Sequence, residues 1–550
     1  MSFNLGKFLI AFLICFNAGA QTPDPSDHDL LKQMPLKTKI GQMFMIGFQG
    51  KRIEEGLARS IKDIRPGALI IFGRNISSAR QLSDLIHSAQ EAAVSVSGVP
   101  LLVATDQEGG DVIRVKTTIP LPSPLAFGKS GTPELTEKAG EATGRLLKTL
   151  GINMNLAPVL DISDPRKKTF VGTRSYGRDP HLVANLGLRF ATGLSNSGVL
   201  PTGKHFPGHG GVSEDSHLST PEKDVSLETI LKQDLVPFSK VQERLQDQWA
   251  IMLAHVAFPK LDPTGVPATF SKPIIQGLLR EKVGFKGIVL TDDIAMAGAD
   301  RIKEIDERVI RSIEAGVDMV LVPWNSRQQR RLVQAVEKAV LSGRIPEERI
   351  NESVLRILKA KRKFAQEQGR SSTQQLRLAL NNPDLKEIAE TLLKNSFTQE
   401  LEEEEKELQN YAADKPVLLF SSNVGFAVGF RNSHPKRRAV RFFKLDIDRP
   451  HDVNRIMRAN PTAFGVFYMS GYQVGRLAAQ IHEDVARRML LVTVEAPGHL
   501  PNASSFRYIK AVYLRHPSLG SMVARRYFQT EQPELTIRAP ASGESKKKTP

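Results

Sequence analysis

Eight short apolar runs recur between residues 42 and 323, each set apart from the next by a longer stretch, and this alternation leaves few folds open to the chain. The runs lie at 42–48, 68–72, 101–105, 154–160, 201–205, 251–256, 288–291 and 319–323. Amphipathic stretches with helical period occupy 79–93, 133–150, 180–197, 227–244, 272–283, 303–315 and 328–342. A helix between two strands carries the chain back to the end where it started, so successive strands pair in parallel. Eight such units in this length predict an α/β fold, a (β/α)8 barrel of TIM type. A doubly wound sheet is the competitor, but no GxGxxG follows the first run to favour it.

The polar residues point the same way. Asp106 follows the third run, Asp161 the fourth, Lys204-His205 ends the fifth, His255 sits in the sixth and Asp292-Asp293 closes the seventh. Barrel active sites are built at the C-terminal ends of several strands. An ionisable group is costly inside a strand unless paired, and cheap at the rim. The densest stretch is 201–217, PTGKHFPGHGGVSEDSH, where Pro207, Gly208, Gly210 and Gly211 prevent a helix. It carries His209 and an Asp-x-His pair, Asp215 and His217. His205 and His209 have the spacing of a zinc-binding helix, which Pro207 and Gly208 exclude, so no metal and no cofactor are expected.

At 550 residues the chain exceeds one ordinary core. A Lys- and Arg-rich helical segment at 350–368 closes the barrel, and Glu402 to Glu405 read as a solvated helix face or linker. Strand-like runs at 417–421, 439–443, 463–468, 490–494 and 511–514, with a helical stretch at 474–488, predict a smaller α/β sandwich. It has no cluster of Asp, Glu and His to suggest chemistry. Lys7, the apolar run 8–16 and Ala18-Gly19-Ala20 form a signal-peptide pattern too short for a membrane span. Cleavage after Ala20 would remove Cys15, the only cysteine. The expected layout is a leader at 1–20, a barrel at 21–370, a helical linker at 371–412, a C-terminal α/β domain at 413–530 and a disordered basic tail at 531–550. The mature chain is then expected to be periplasmic or secreted and monomeric, without stable membrane insertion. The net charge of +16 suits either solubility with a basic tail or affinity for anionic surfaces. No helix-turn-helix, zinc-finger or aromatic-basic pattern suggests nucleic acid.

The motifs together resemble family 3 glycoside hydrolases. Asp106-Gln107-Glu108-Gly109-Gly110 with Arg114 is similar to that family's DQEGG…R motif, and Arg174-Ser175-Tyr176-Gly177 also matches. Lys204-His205-Phe206-Pro207-Gly208-His209-Gly210 is the most specific likeness, and His255 and Thr291-Asp292-Asp293 follow in the expected order. The resemblance runs over about 37–363, and KHFPGHG followed by Asp-x-His looks like the β-N-acetylglucosaminidase branch.

The resemblance implies Asp292 as nucleophile and His217, paired with Asp215, as general acid/base. A helix N-cap before 294–299 is the local alternative for Asp292, and Asp293 suits that cap or a supporting hydrogen bond better. Substrate binding is implied for Asp106, Arg114, Arg174, Lys204 and His205, while His255 either lines the pocket or is a satisfied strand histidine. Two departures stand out: Asp111 where the family usually has Arg, and Gly211-Val212 where it usually has Asp-Thr. The function implied is an exported, retaining exo-β-N-acetylglucosaminidase acting on GlcNAc-containing peptidoglycan fragments. A β-glucosidase, a GlcNAc phosphorylase and an inactive wall-binding protein are the alternatives.

Overall fold

The computed structural model describes residues 26–528, apart from 54, 168, 213, 215, 217, 367–368, 399–402, 413, 446–450, 470–476 and 495–504. The expected leader and basic tail, and the Asp215–His217 pair, therefore lie outside the described residues. Among the described residues ten strands precede residue 323: β1 (Phe44–Ile46), β2 (Ala68–Ile71), β3 (Leu102–Thr105), β4 (Gln107–Gly109), β5 (Val112–Ile113), β6 (Met154–Asn155), β7 (Leu200–Phe206), β8 (Ala250–Leu253), β9 (Val289–Asp293) and β10 (Met319–Val322). Eight of them close a parallel barrel in the order β1-β10-β9-β8-β7-β6-β3-β2. The antiparallel β4–β5 pair stands apart as a hairpin at the end of β3.

Every residue of β1, β2, β3, β7, β8 and β10 is buried, as strands covered on both faces must be. β9 is buried only to Thr291 and emerges at Asp292 and Asp293. The surrounding helices start where the sequence caps them. Ser78 accepts the Gln81 N–H before Ala79–Ser97, and Asp179 accepts the Leu182 N–H before Pro180–Asn196. Asp318, at the opposite end from the emerging carboxylates, is buried and paired with Arg280 at 2.6 Å and Arg356 at 3.0 Å.

Several boundaries shift for local reasons. The run at 42–48 begins late because Gln42 ends the helix Leu36–Gln42, where its Nε2 donates to the Arg65 carbonyl at 2.9 Å. The run at 154–160 is a strand only at Met154–Asn155, is interrupted through Pro158, which has no N–H to give a ladder, and resumes where Val159 bridges Lys204. The helix expected at 227–244 splits into Leu227–Lys232 and Leu235–Leu245 around Asp234, whose carboxylate takes Lys223 at 2.7 Å.

Beyond the closing helix Glu347–Phe364, the helices Thr373–Leu380 and Pro383–Thr398 lie against the barrel, where Lys138 meets Glu387 at 2.8 Å. The helix Glu403–Ala412 belongs with the second unit, Gln409 donating to the Arg526 carbonyl at 2.6 Å. That unit is a parallel sheet of β11 (Val417–Ser421), β12 (Val440–Lys444), β13 (Phe464–Met469), β14 (Met489–Thr493) and β15 (Tyr508–Ala511), in the order β12-β11-β13-β14-β15. The run expected at 511–514 is displaced, since the strand precedes it. Within the stretch 474–488 the structure describes a short helix at Glu483–Ala486.

Candidate active site

Five side chains of alternating charge form a chain across the C-terminal mouth of the barrel. Glu108, on the hairpin strand β4, accepts Arg174 Nε at 2.8 Å and Nη2 at 2.9 Å, a two-pronged pairing. Its Oε1 also lies 2.6 Å from Lys204 Nζ. Lys204, on β7, donates next to Asp106 Oδ1 at 3.0 Å, and Asp106 Oδ2 takes Arg114 Nη2 at 3.3 Å. Burial alone would lift Glu108, but Arg174 and Lys204 overturn that and hold it well below the usual carboxylate range. Burial likewise opposes the charge of Lys204, yet Glu108 and Asp106 raise its pKa. The Glu108–Lys204 end is enclosed, while Asp106 and Arg114 retain access to solvent. Glu108 is thus the brace, and Asp106 and Arg114 are the ends of the chain that face solvent.

A second brace stands behind the loop that follows β7. Asp161 Oδ1 accepts the backbone N–H of His205 at 3.2 Å and of His209 at 2.6 Å, and Oδ2 accepts His205 Nδ1–H at 2.6 Å. An ionised carboxylate has no proton to give, so Nδ1 carries the hydrogen. Burial would raise Asp161, but His205 and His209 bring it down to about 2. The bond fixes the ring of His205 and leaves Nε2 without a hydrogen bond among the described residues. His205 is in a strand rather than a helix. His209 is enclosed beside Phe170, ring centroids 4.6 Å apart, and burial lowers its pKa to about 4. Among the described residues no group of three or more His, Cys, Asp and Glu side chains is placed to hold a metal ion.

Asp292 emerges from β9 on the same mouth. Its Oδ1 accepts the Asp293 N–H at 2.8 Å, while Oδ2 makes no hydrogen bond among the described residues. Burial in the concavity pushes its pKa up, and His205, His255 and Lys204 outweigh this, so the net shift is downward. Asp293 takes the local tasks: Oδ1 accepts the Ala295 N–H at 2.9 Å and Oδ2 the indole N–H of Trp324 at 2.7 Å. His255 is satisfied on both sides. Its Nε2–H donates to the Asp293 carbonyl at 3.0 Å, and Nδ1 accepts the Thr269 hydroxyl at 2.8 Å. Burial lowers its pKa, so it stands as a neutral support for the end of β9.

Asp215 and His217 lie outside the described residues, but their neighbours do not. The Ser216 carbonyl accepts the Gly298 N–H at 2.7 Å, and Thr220 Oγ1 donates to the Gly298 carbonyl at 2.9 Å. The two departures have local explanations. Asp111, at the hairpin tip, pairs with Arg515 of the C-terminal unit at 2.6 Å. Val212 is buried, and its carbonyl accepts the Phe170 N–H at 3.2 Å.

The structure brings together Asp106, Arg114, Arg174, Lys204, His205 and Asp292. The sequence alone gives no role to Glu108, Asp161 or Trp324. Glu108 lies inside the DQEGG stretch and Asp161 at the end of an apolar run, so both carry a signal. Trp324 has one too, directly after the eighth run.

A family model described as the glycosyl hydrolase family 3 N terminal domain matches residues 35–360. The chain is 38% identical over 271 residues to a beta-hexosaminidase of Pseudomonas aeruginosa, covering 49% of this chain and 78% of that protein. It is 31% identical over 382 residues to beta-hexosaminidase A of Pseudoalteromonas piscicida, covering 62% of this chain and 64% of that protein. Among solved structures, a glycoside hydrolase family 3 beta-N-acetylglucosaminidase from Paenibacillus sp. str. FPU-7 superposes with a TM-score of 0.74 at 29% identity. That likeness covers 89% of this chain and 96% of the other.

Proposed function

The chain belongs to glycosyl hydrolase family 3, and from that premise we propose an exported, retaining exo-β-N-acetylglucosaminidase that releases terminal β-linked GlcNAc from peptidoglycan fragments. The β-hexosaminidase activity is that of its relatives. The observation that carries the mechanism is Asp292: one oxygen is held by the Asp293 N–H, and the other is unengaged among the described residues, in a site that favours its ionised form. A carboxylate so placed can attack the anomeric carbon. The C1–O bond to the leaving sugar breaks as the bond from C1 to the Asp292 carboxylate forms, and His217 gives its proton to the departing oxygen. Water then attacks C1, returns a proton to His217 and frees Asp292, so configuration is retained. Asp215 would orient the imidazole and favour its protonated form. Support for this placement comes from Ser216 and Thr220, tied to Gly298 just beyond the nucleophile strand.

Asp106, Arg114 and Lys204 present fixed acceptors and donors to the sugar hydroxyls, with Arg174 and Glu108 locking their geometry. Export rests on the Lys7 to Ala20 pattern alone, and the sugar-plus-peptide substrate on the resemblance of the KHFPGHG loop. The test is release of p-nitrophenol from its β-GlcNAc and β-glucoside derivatives. Wild type should cleave the GlcNAc derivative, and Asp292→Asn and His217→Ala should each lose at least about a hundredfold in kcat. Turnover that survives Asp292→Asn, or that prefers glucoside, would overturn this reading.

A further inference from the structure

One exposed indole at the barrel mouth has no part in the mechanism above. Trp324 is 51% exposed, although Pro323 and all of β10 before it are buried. Three contacts hold it there. Its Nε1–H donates to Asp293 Oδ2 at 2.7 Å, beside the proposed nucleophile. Its ring stacks on Phe72, centroids 5.4 Å apart and planes 18° from parallel. The guanidinium of Arg74 lies 4.2 Å from the indole and 4.4 Å from Phe72, and donates to the Phe48 and Pro323 carbonyls at 3.3 Å. These similar separations put Phe72 and Arg74 on one side of the indole, so its other face is the open one.

The placement is specific. β1 lies between β10 and β2, and Trp324 crosses its end to reach Phe72, the residue after β2. Arg114 lies 5.9 Å from the Phe72 ring and pairs with Asp106. An unbroken arc of the mouth therefore runs from Asp293 through Trp324, Phe72 and Arg114 to Asp106. Folding would gain more by burying an indole than by exposing it, yet here it is tethered open.

We propose that Trp324 is the stacking platform of the aglycone subsite, taking the sugar ring bonded to the departing oxygen. The inference rests on the glycosidase reading above. A pyranose with equatorial substituents presents C–H groups on its faces, which suit the electron-rich face of an indole. Its position next to Asp293 places the platform beside the bond that breaks, where a leaving sugar must lie.

The test compares a β-1,4-linked GlcNAc disaccharide with methyl β-GlcNAc, whose aglycone is too small to stack. Trp324→Ala should lose at least tenfold more kcat/KM on the disaccharide than on the methyl glycoside, and Trp324→Phe should recover most of that difference. Equal losses on both substrates would mean that Trp324 acts only through Asp293, and would overturn the proposal. A second readout keeps the native indole. The chain has two tryptophans, and Trp249 is 1% exposed, so acrylamide quenches chiefly Trp324. In Asp292→Asn, saturating disaccharide should cut that quenching at least twofold while methyl β-GlcNAc leaves it near its free value. Undiminished quenching, with binding verified by calorimetry, would overturn the proposal. Failure of wild type to cleave either substrate would instead sink the glycosidase reading, while the quenching arm would still report on the platform.

Discussion

Asp161 touches no substrate in the proposed mechanism, yet it holds three donors, two from His205 at the end of β7 and one from His209 on the loop after it. In Asp161→Asn one oxygen becomes an amide donor. Facing His205 Nδ1–H, that donor forces the ring to its other tautomer or away. His205 then presents a different group to the sugar, and the backbone at His209 loosens. We expect kcat to fall about a hundredfold, the loss associated with roughly 1 Å of misplacement, and the pH profile of kcat/KM to change shape. A purely structural role would lower the thermal midpoint and leave the profile of the folded fraction unaltered, so the two measurements together decide. At this scale the sequence was readable where a residue stood in a motif at the end of a strand: Asp106, Arg114, Lys204 and Asp292 share the mouth of the barrel. It was not readable where a residue acts by holding another. Nothing in the local sequence around Asp161 says that a loop some forty residues later will donate to it, because that contact exists only once β6 and β7 are neighbours.

The element that decides the site is β7 with its following loop, and its glycines separate two kinds of constraint. A Cβ at Gly210 would come 1.8 Å from the Ile162 carbonyl oxygen, so the loop packs directly on the segment that bears Asp161. At Gly211 a Cβ would meet nothing within 4 Å, but φ is +79°, which an L-residue adopts only at some cost. Gly210→Ala should therefore displace the loop and lower kcat about a hundredfold. Gly211→Ala should cost about 1 kcal/mol in thermal unfolding with kcat within a few fold of wild type. Equal effects of the two on kcat would show that loop conformation, not its seating, is what matters. Element by element, the barrel was legible because buried parallel strands are short apolar runs and their caps are written in Ser78 and Asp179. The β4–β5 hairpin was not, since Gln107 to Ile113 is polar and glycine-rich and pairs with itself rather than with the barrel. The same blindness moved the last strand of the second sheet to Tyr508–Ala511, where β propensity alone favoured the residues after it.

Across the whole molecule, buried titratable groups fall into two classes with opposite responses to acid. Carboxylates such as Glu108, Asp161 and Asp318 are paired, so acid must protonate them below their usual range before their contribution is lost. Histidines are buried neutral: His209 and His255 in the barrel and His434 in the C-terminal unit, with half-buried His516 shifted the same way. His434 is the cleanest to test because it lies far in the chain from the catalytic motifs. Its Nδ1 accepts the Lys436 N–H at 3.1 Å, its Nε2 is buried without a partner among the described residues, and its ring stands 4.8 Å from that of Phe528. Protonation would set a hydrogen on Nδ1 against the Lys436 N–H and leave a charge among phenyl rings. Burial accordingly lowers its pKa from 6.5 to about 4. With the folded pKa below the unfolded one, the stabilising effect is whole above pH 6.5 and drains away as pH falls toward 4. Asn at this position keeps an acceptor for the Lys436 N–H, as in an Asx turn, and cannot titrate. Thermal unfolding of wild type and His434→Asn at pH 7.5 and 4.5 should show wild type losing about 1 kcal/mol more than the variant on acidification. An identical loss in both would place the acid sensitivity elsewhere, with His209 beneath the proposed active site the next histidine to replace.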